Sequence, residues 1–364
     1  MFFYRLDIDN RLIIDYYSTN MFQPKYKISA QLLANIKRVS ALVQKLNDRR
    51  FPRVVFLELA KMARETSVFS STSIEGNPLP LTEVKKVLKN RPDNIRDSER
   101  EVLNYNQALE SLDKLLAEDK FDLSLNSVLD IHQDITTGLL PSSDVGKLRQ
   151  KPVVVNDPRT GQVVYLPPDV DVIKILLSEL IVFAKNNQNI VDPLILAGIF
   201  HKQMVIIHPF MDGNGRTTRL VTKCLLAKMG LNTFNLFSFE HYYNQNVTKY
   251  FQIVGEYGDY NEIVASVDFT KWLEYFTSGI IDELLRVEKL LPKVASSPNT
   301  RLAKHHQDII RYIRDSGYIV DRDYARLTKR AKATRTLDFN HLIEQGIIMR
   351  KGKGRSTHYI LKEI

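Results

Sequence analysis

A single cysteine, Cys224, in 364 residues excludes an internal disulfide and fits a reducing compartment. Its place in an apolar helical run makes it a small core residue. Long hydrophobic runs are missing too. The best candidate, Ile175 to Ala184, is short and carries Glu179, so no membrane-spanning helix is expected. Nor does the start of the chain read as a targeting segment, because Arg5, Asp7 and Asp9 break its first apolar stretch. These gaps together predict a soluble, cytoplasmic protein. Gly-Lys-Ser/Thr is also absent, which excludes a Walker-type phosphate loop. What is present is a 44% hydrophobic composition, enough at this length for a sizeable core and two or three domains.

The net charge of +9 is unevenly placed. From Arg301 to Ile364 there are 15 Lys/Arg against 7 Asp/Glu, so this segment alone carries +8. Basic character is therefore a property of the C-terminal segment, where contact with nucleic acid is one reading.

Chemistry concentrates in His208-Pro209-Phe210-Met211-Asp212-Gly213-Asn214-Gly215-Arg216-Thr217-Thr218-Arg219, between two apolar helical runs, Leu194 to Ile207 and Leu220 to Met229. Gly213 and Gly215 let the backbone turn through positive φ and bring amides close to an anion, while the following helix offers its unpaired donors and positive dipole end. Asp212 is a hard oxygen ligand suited to a Mg²⁺ that keeps most of its waters. Arg216 and Arg219, spaced i, i+3, share a helix face and suit phosphate oxygens. His208 is the one group here that can accept a proton near neutral pH. A calcium loop is the competing reading of Asp212-Gly213-Asn214, but it needs an oxygen ligand and then a glycine where the chain has Arg216 and Thr217.

This stretch matches every fixed position of the signature His-x-Phe-x-Asp/Glu-Gly-Asn-Gly-Arg-x-x-Arg, and so the chain resembles the Fic family. The resemblance implies a mainly α fold: a Fic-type helical bundle with a small β-hairpin flap. It implies transfer of AMP from ATP to a Ser, Thr or Tyr hydroxyl of a target protein, with His208 as base and Asp212 holding Mg²⁺. Nucleotide contacts would come from Gly213, Asn214, Gly215, Arg216, Thr217, Thr218 and Arg219. Asn246-Val247-Thr248-Lys249-Tyr250-Phe251 resembles a family segment that walls the nucleotide through Asn246 and Tyr250; Phe251 replaces a tyrosine there, and core packing is an equal reading for Tyr250 and Phe251. Ser71-x-x-x-Glu75-Gly76 resembles the family's inhibitory motif, which implies a pairing of Glu75 with Arg219.

Periodicity predicts helices over Ile28 to Leu46, about Val54 to Phe69, Leu81 to Leu88, Ile95 to Leu116, Ser124 to Thr136, Val172 to Ala184, Pro193 to Ile207 and Phe269 to Ile281, the last with Trp272 as core packing. The signature helix should stop near Gly230. His201 reads as a hydrogen-bonded or solvated helix histidine rather than half of a metal pair with His208. Alternation predicts a small hairpin within residues 1 to 17. A second hairpin joins Lys151-Pro152-Val153-Val154-Val155 to Gln162-Val163-Val164-Tyr165-Leu166, preceded by the family-like Gly146-x-x-Arg149. Its edge could pair with an extended target segment.

Ser296-Ser297-Pro298-Asn299 is the clearest linker. Helices over Leu302 to Arg314, from Asp321 and from Ala331 to about Gly346, then two strands around Lys351-Gly352-Lys353-Gly354-Arg355, resemble a winged helix-turn-helix with Arg335, Lys351, Lys353 and Arg355 as phosphate contacts. The expected organisation is thus an N-terminal region over 1–99, a core over 100–295 and a winged helix over 300–364. Self-association is left open. Two functions fit: an enzyme, or a DNA-binding regulator whose core only senses a nucleotide. His208 favours the enzyme, because a sensor needs the anion loop but no base. Within the enzyme class, transfer of another phosphate-containing group and removal of AMP remain alternatives.

Overall fold

The computed structural model describes residues 22–49, 53–157, 160–228, 238–295 and 302–362. The expected N-terminal hairpin, the stop near Gly230 and the linker at Ser296 to Asn299 lie outside them, as does the side chain of Arg355.

The fold is mainly α. At its centre lie α7 (Pro193–Ile207) and α8 (Asn214–Lys228). Helix α7 is mostly apolar and buries 13 of its 15 residues, His201, Lys202 and Gln203 among them, the pattern of a helix enclosed on all sides. It starts where Asp192 accepts a bond from the Leu194 amide (2.9 Å) and Pro193 presets the first turn. Around this pair stand α1 (Ala30–Asn47), α2 (Arg53–Ile74), α3 (Leu81–Lys89), α4 (Asp97–Ala117), α5 (Leu125–Thr136), α6 (Val170–Asn187), α9 (Phe239–Gln245), α10 (Val247–Val254), α11 (Tyr260–Ile263) and α12 (Thr270–Ala295). Helix α1 buries Leu32, Val39, Leu42, Val43 and Leu46 at three- and four-residue spacing and packs along α12. Trp272 is buried and donates its indole N–H to the Gly198 carbonyl at 2.7 Å. No described helix is long and apolar enough to cross a membrane.

Two helices run past the lengths that periodicity predicts. Helix α12 continues through Leu284, Val287, Leu291 and Val294, all buried, to Ala295. Helix α2 continues past Phe69 through Ser70-Ser71-Thr72-Ser73 to Ile74. Ser and Thr are weak helix residues because they compete for the backbone, but here tertiary partners use them. Ser67 donates to Glu240 (2.9 Å), Thr72 bonds back to the Val68 carbonyl (2.9 Å), and Ser71 faces Arg219. The helix then closes with the Gly76 amide on the Ser73 carbonyl (3.0 Å) and the Asn77 amide on the Thr72 carbonyl (3.1 Å), with Gly76 at φ +94°. That is a Schellman end, which needs glycine at its left-handed position.

The flap is shorter than expected, β1 (Val155–Asn156) antiparallel to β2 (Val163–Leu166). On its other side β2 pairs in parallel with β3 (Gly258–Asp259) through Tyr165 opposite Gly258 and Leu166 opposite Asp259. Two residues carry no legible alternation, so this third strand has no sequence signal.

Beyond residue 302 come α13 (Lys304–Ser316), α14 (Asp321–Leu327), α15 (Lys332–Glu344) and the antiparallel pair β4 (Ile348–Lys351) and β5 (His358–Leu361). Ile309, Ile313, Tyr324, Phe339, Leu342, Ile347 and Ile348 supply its core. Arg335 is not available to a phosphate: its Nε and Nη2 each donate to the Asp321 carboxylate at 2.8 Å, and its Nη1 donates to the Arg330 carbonyl at 2.8 Å. A fork this well matched to a carboxylate serves the fold.

Candidate active site

The loop from His208 to Gly213 joins the two central helices. His208 ends α7 in the left-handed region (φ 48°, ψ 60°), unusual for a residue with a side chain, and lines a cleft. Burial pushes its pKa down to about 4, so the imidazole is neutral near pH 7. Asn214 holds the loop shut: its Oδ1 accepts from the Phe210 amide and its Nδ2 donates to the Phe210 carbonyl, both at 2.9 Å. Phe210 is fully buried with its ring stacked on His132, centroids 3.8 Å apart.

The two glycines do different jobs. Gly213 turns the chain at φ +79°, as expected. Gly215 does not use positive φ; it lies in the first turn of α8, where a Cβ would stand 2.2 Å from Oε1 of Glu75. Close approach of a carboxylate to the helix start is what requires glycine there.

Glu75 thus meets the N-terminal end of α8. Its Oε1 accepts from Arg219 Nη2 at 2.7 Å. Arg219 also donates from Nε to Ser71 Oγ (2.8 Å) and from Nη2 to the Ser71 carbonyl (2.9 Å). It is fully buried, and although burial opposes its charge, Glu75 beside it raises its pKa overall. One donor remains: Arg219 Nη1 is buried with no well-formed hydrogen bond among the described residues, near the Tyr250 hydroxyl and 2.8 Å from where a Gly215 Cβ would be. An orphaned guanidinium N–H beside a helix N-terminus is a half-filled anion site.

Arg216 and Arg219 do not converge on one ligand as their spacing suggests. Arg216 turns away to Glu101 (Nη1 to Oε1, 2.6 Å) and Asp212 (Nη2 to Oδ1, 3.0 Å). Burial raises the Glu101 pKa against the pull of Arg216, and Asn77 donates to its other oxygen at 2.6 Å. The Asp212 side chain stays 59% exposed, which suits a hard cation carrying its own waters.

Glu75, His208, Asn214, Gly215 and Tyr250 line one cleft. Other expected contacts are elsewhere. Thr217 and Thr218 are fully buried, their hydroxyls turned into the core. Asn246 is exposed and caps α10 by accepting from the Lys249 amide at 3.0 Å; it is not among the residues lining the cleft. Tyr250 both lines the cleft and packs: it is buried, and its hydroxyl meets His201 Nε2 at 3.1 Å. His201 is fully buried, its Nδ1 3.0 Å from Thr222 Oγ1, a hydrogen-bonded core histidine.

Three supports are given no role by the sequence, although Arg149 belongs to the family-like Gly146-x-x-Arg149. His132, in an apolar stretch of α5, takes the Gly146 amide on Nδ1 (3.0 Å), which leaves the proton on Nε2 to donate to the Asp212 carbonyl (3.0 Å). Glu101 is one of several acids on α4. Arg149, which the sequence leaves without a role, clamps the flap to the loop: its side chain donates to the carbonyls of His208 (2.9 Å), Lys151 (3.2 Å) and Pro168 (2.5 Å), and its own amide to that of Pro209 (2.9 Å).

Residues 122–226 match the model of the Fic/DOC family. The chain is similar to the protein adenylyltransferase Fic of Aedes aegypti, 26% identical over 234 residues, 59% of this chain and 45% of that protein. It is also similar to that of Drosophila mojavensis, 27% identical over 221 residues, 56% of this chain and 42% of the relative. The chain therefore spans less than half the length of these curated relatives. Among solved structures, a Fic family protein from Desulfovibrio desulfuricans superposes with a TM-score of 0.64 at 21% identity, covering 93% of this chain and 98% of that one. Fic-1 from C. elegans gives 0.58 at 18%, covering 79% of each chain. At these identities the structural likeness is one of fold.

Proposed function

Starting from a chain that carries a Fic/DOC domain over residues 122–226, we propose that it is a protein adenylyltransferase restrained by its own Glu75. A Ser, Thr or Tyr hydroxyl of a target protein gives its proton to His208 and its oxygen forms a bond to the α-phosphorus of ATP. The bond from that phosphorus to the bridging oxygen breaks, and pyrophosphate leaves. The start of α8 and Arg219 hold the terminal phosphates, with Arg216, once released from Glu101, at the inner ones. Asp212 is the residue that would hold Mg²⁺, which neutralises phosphate charge. The outer edge of β1 offers backbone pairing to an extended target segment. The 302–362 unit is read as a winged helix, a docking module whose exposed Lys351 and Lys353 suit DNA phosphates.

The observation that carries this reading is the Glu75 carboxylate, which fills an anion-binding helix start beside an unpaired Arg219 N–H, in the same cleft as a neutral imidazole. A nucleotide sensor would need the first feature but not the second. Incubation with ATP labelled at the α- or the γ-phosphorus, using the chain with and without Glu75, tests it. Protein-bound label from the α position alone supports AMP transfer; label from γ, or none with either, overturns it.

A further inference from the structure

The C-terminal unit contains a second cluster of ligating side chains, distant in sequence from the cleft. His305 and His306 open α13, and Asp338 lies in the middle of α15. His305 Nε2 is 3.3 Å and His306 Nε2 3.5 Å from the same oxygen, Asp338 Oδ1, and the three ligating atoms all lie within 4.8 Å of one another. Tetrahedral zinc with bonds of about 2.0–2.1 Å has ligand-to-ligand edges of about 3.3 Å. Two of the three edges of such a site are already near that length.

An ion-pair network is the simpler account, and part of it is present. Arg330 donates to both Asp338 oxygens (2.8 and 3.1 Å) and Tyr324 donates to Oδ2 (2.8 Å). It includes His306 only through the long 3.5 Å approach of Nε2 to Asp338. His306 is 9% exposed, its ring lies against His341 with centroids 4.9 Å apart, and neither of its ring nitrogens makes a well-formed hydrogen bond among the described residues. A buried imidazole normally satisfies at least one nitrogen, so one left with neither is aimed at something else. The Arg330 and Tyr324 bonds fit the same view, since ligating carboxylates are held in orientation by outer partners of this kind. Two imidazoles and one carboxylate, with a fourth position for water, form a donor set suited to zinc.

We propose that His305, His306 and Asp338 form a Zn²⁺ site that ties the first turn of α13 to α15. Binding requires both imidazoles neutral and lone pairs on both Nε2 atoms, which displaces any proton they carry into solvent. The ion stabilises the C-terminal unit and takes no part in chemistry in the cleft.

The test uses the full chain, stripped with chelator and kept in excess Mg²⁺, titrated with Zn²⁺ and, as a spectroscopic probe, Co²⁺. The comparison is with His305→Gln/His306→Gln, which keeps Asp338 for Arg330 and Tyr324. The wild type is expected to take up one more Zn²⁺ per chain than the variant, to show tetrahedral Co²⁺ absorption that the variant loses, and to gain thermal stability with Zn²⁺ that the variant does not gain. Because His306 is buried, the double variant can fail to fold. His305→Gln alone, at a side chain 26% exposed, is then expected to show the same losses. Equal uptake and unchanged Co²⁺ absorption in wild type and either folded variant overturn the proposal.

Discussion

Glu75 directly follows the last residue of α2 and faces the beginning of the helix that carries Arg219, 2.7 Å from that guanidinium. A carboxylate is disfavoured at the C-terminal end of its own helix and favoured at the N-terminal end of another. Its position is therefore set by α8 and Arg219, and local preference in α2 works against it. A phosphate at the same helix start competes for both partners.

Replacing Glu75 by Gly is expected to raise AMP transfer. A coupling of about 1–3 kcal/mol corresponds to roughly 5- to 150-fold. Rates from α-labelled ATP for wild type and variant measure it, and equal rates remove Glu75 from any inhibitory role.

In the Glu75→Gly background, His208→Ala should leave ATP affinity nearly unchanged and lower transfer by roughly 10²–10⁴-fold, the usual cost of losing a general base. Nucleotide titration and single-turnover labelling separate the two effects. A parallel loss of affinity would assign His208 to binding instead.

Arg149→Lys keeps the charge but loses the planar fork that reaches three carbonyls on both sides of the flap. Charged hydrogen bonds contribute roughly 1.5–3 kcal/mol each, so denaturant unfolding should show a loss of at least that size. Transfer to a target should fall more than ATP binding does, because the flap and His208 lose their common support.

Acid should destabilise the core through His201. Burial holds its pKa well below 6.5, so the unfolded chain binds a proton below about that pH while the folded chain does not. Stability is then complete above pH 6.5 and declines as pH falls, by up to ~1.4 kcal/mol per pH unit for this one group. His201→Gln, which can keep hydrogen bonds to Thr222 and Tyr250, should flatten the slope of thermal midpoint against pH between 6.5 and 5.

Arg335→Ala should lower the thermal midpoint of the C-terminal unit, because the guanidinium is spent on Asp321 and the Arg330 carbonyl. Any binding of duplex DNA should weaken more with Lys351→Ala/Lys353→Ala and lose its steep salt dependence. Greater DNA loss from Arg335→Ala would mean that the Asp321 pair opens on binding.

Most of the helical frame and the reactive loop were legible in the chain. A run such as Pro193 to Ile207 has one physical solution, and eight fixed positions from His208 to Arg219 point to one chemistry. What escaped was set by partners distant in sequence. The predicted helix ends at Phe69, short of Ser70 to Ser73, because their place in it depends on Arg219 at Ser71 and on the α2 backbone at Thr72. Arg216 and Arg335 read as free cations because a sequence cannot show that Glu101 and Asp321, which pair with them in this structure, lie within reach. Asn246 read as a wall residue, yet the end of α9 leaves it capping the next helix.

The parallel pairing of β2 with β3 joins parts usually considered separately. Gly258 and Asp259 directly follow Val254 to Tyr257, which line the cleft, while β2 belongs to the flap. A sheet that spans both ties the cleft wall to the flap strand on which the proposed target pairing depends. If the chain transfers AMP as proposed, the Michaelis constants for its two substrates are expected to move together. A substitution that weakens this pairing, such as Gly258→Pro, should raise the constants for ATP and for target together, and a variant that shifts only one of them lies outside this strip.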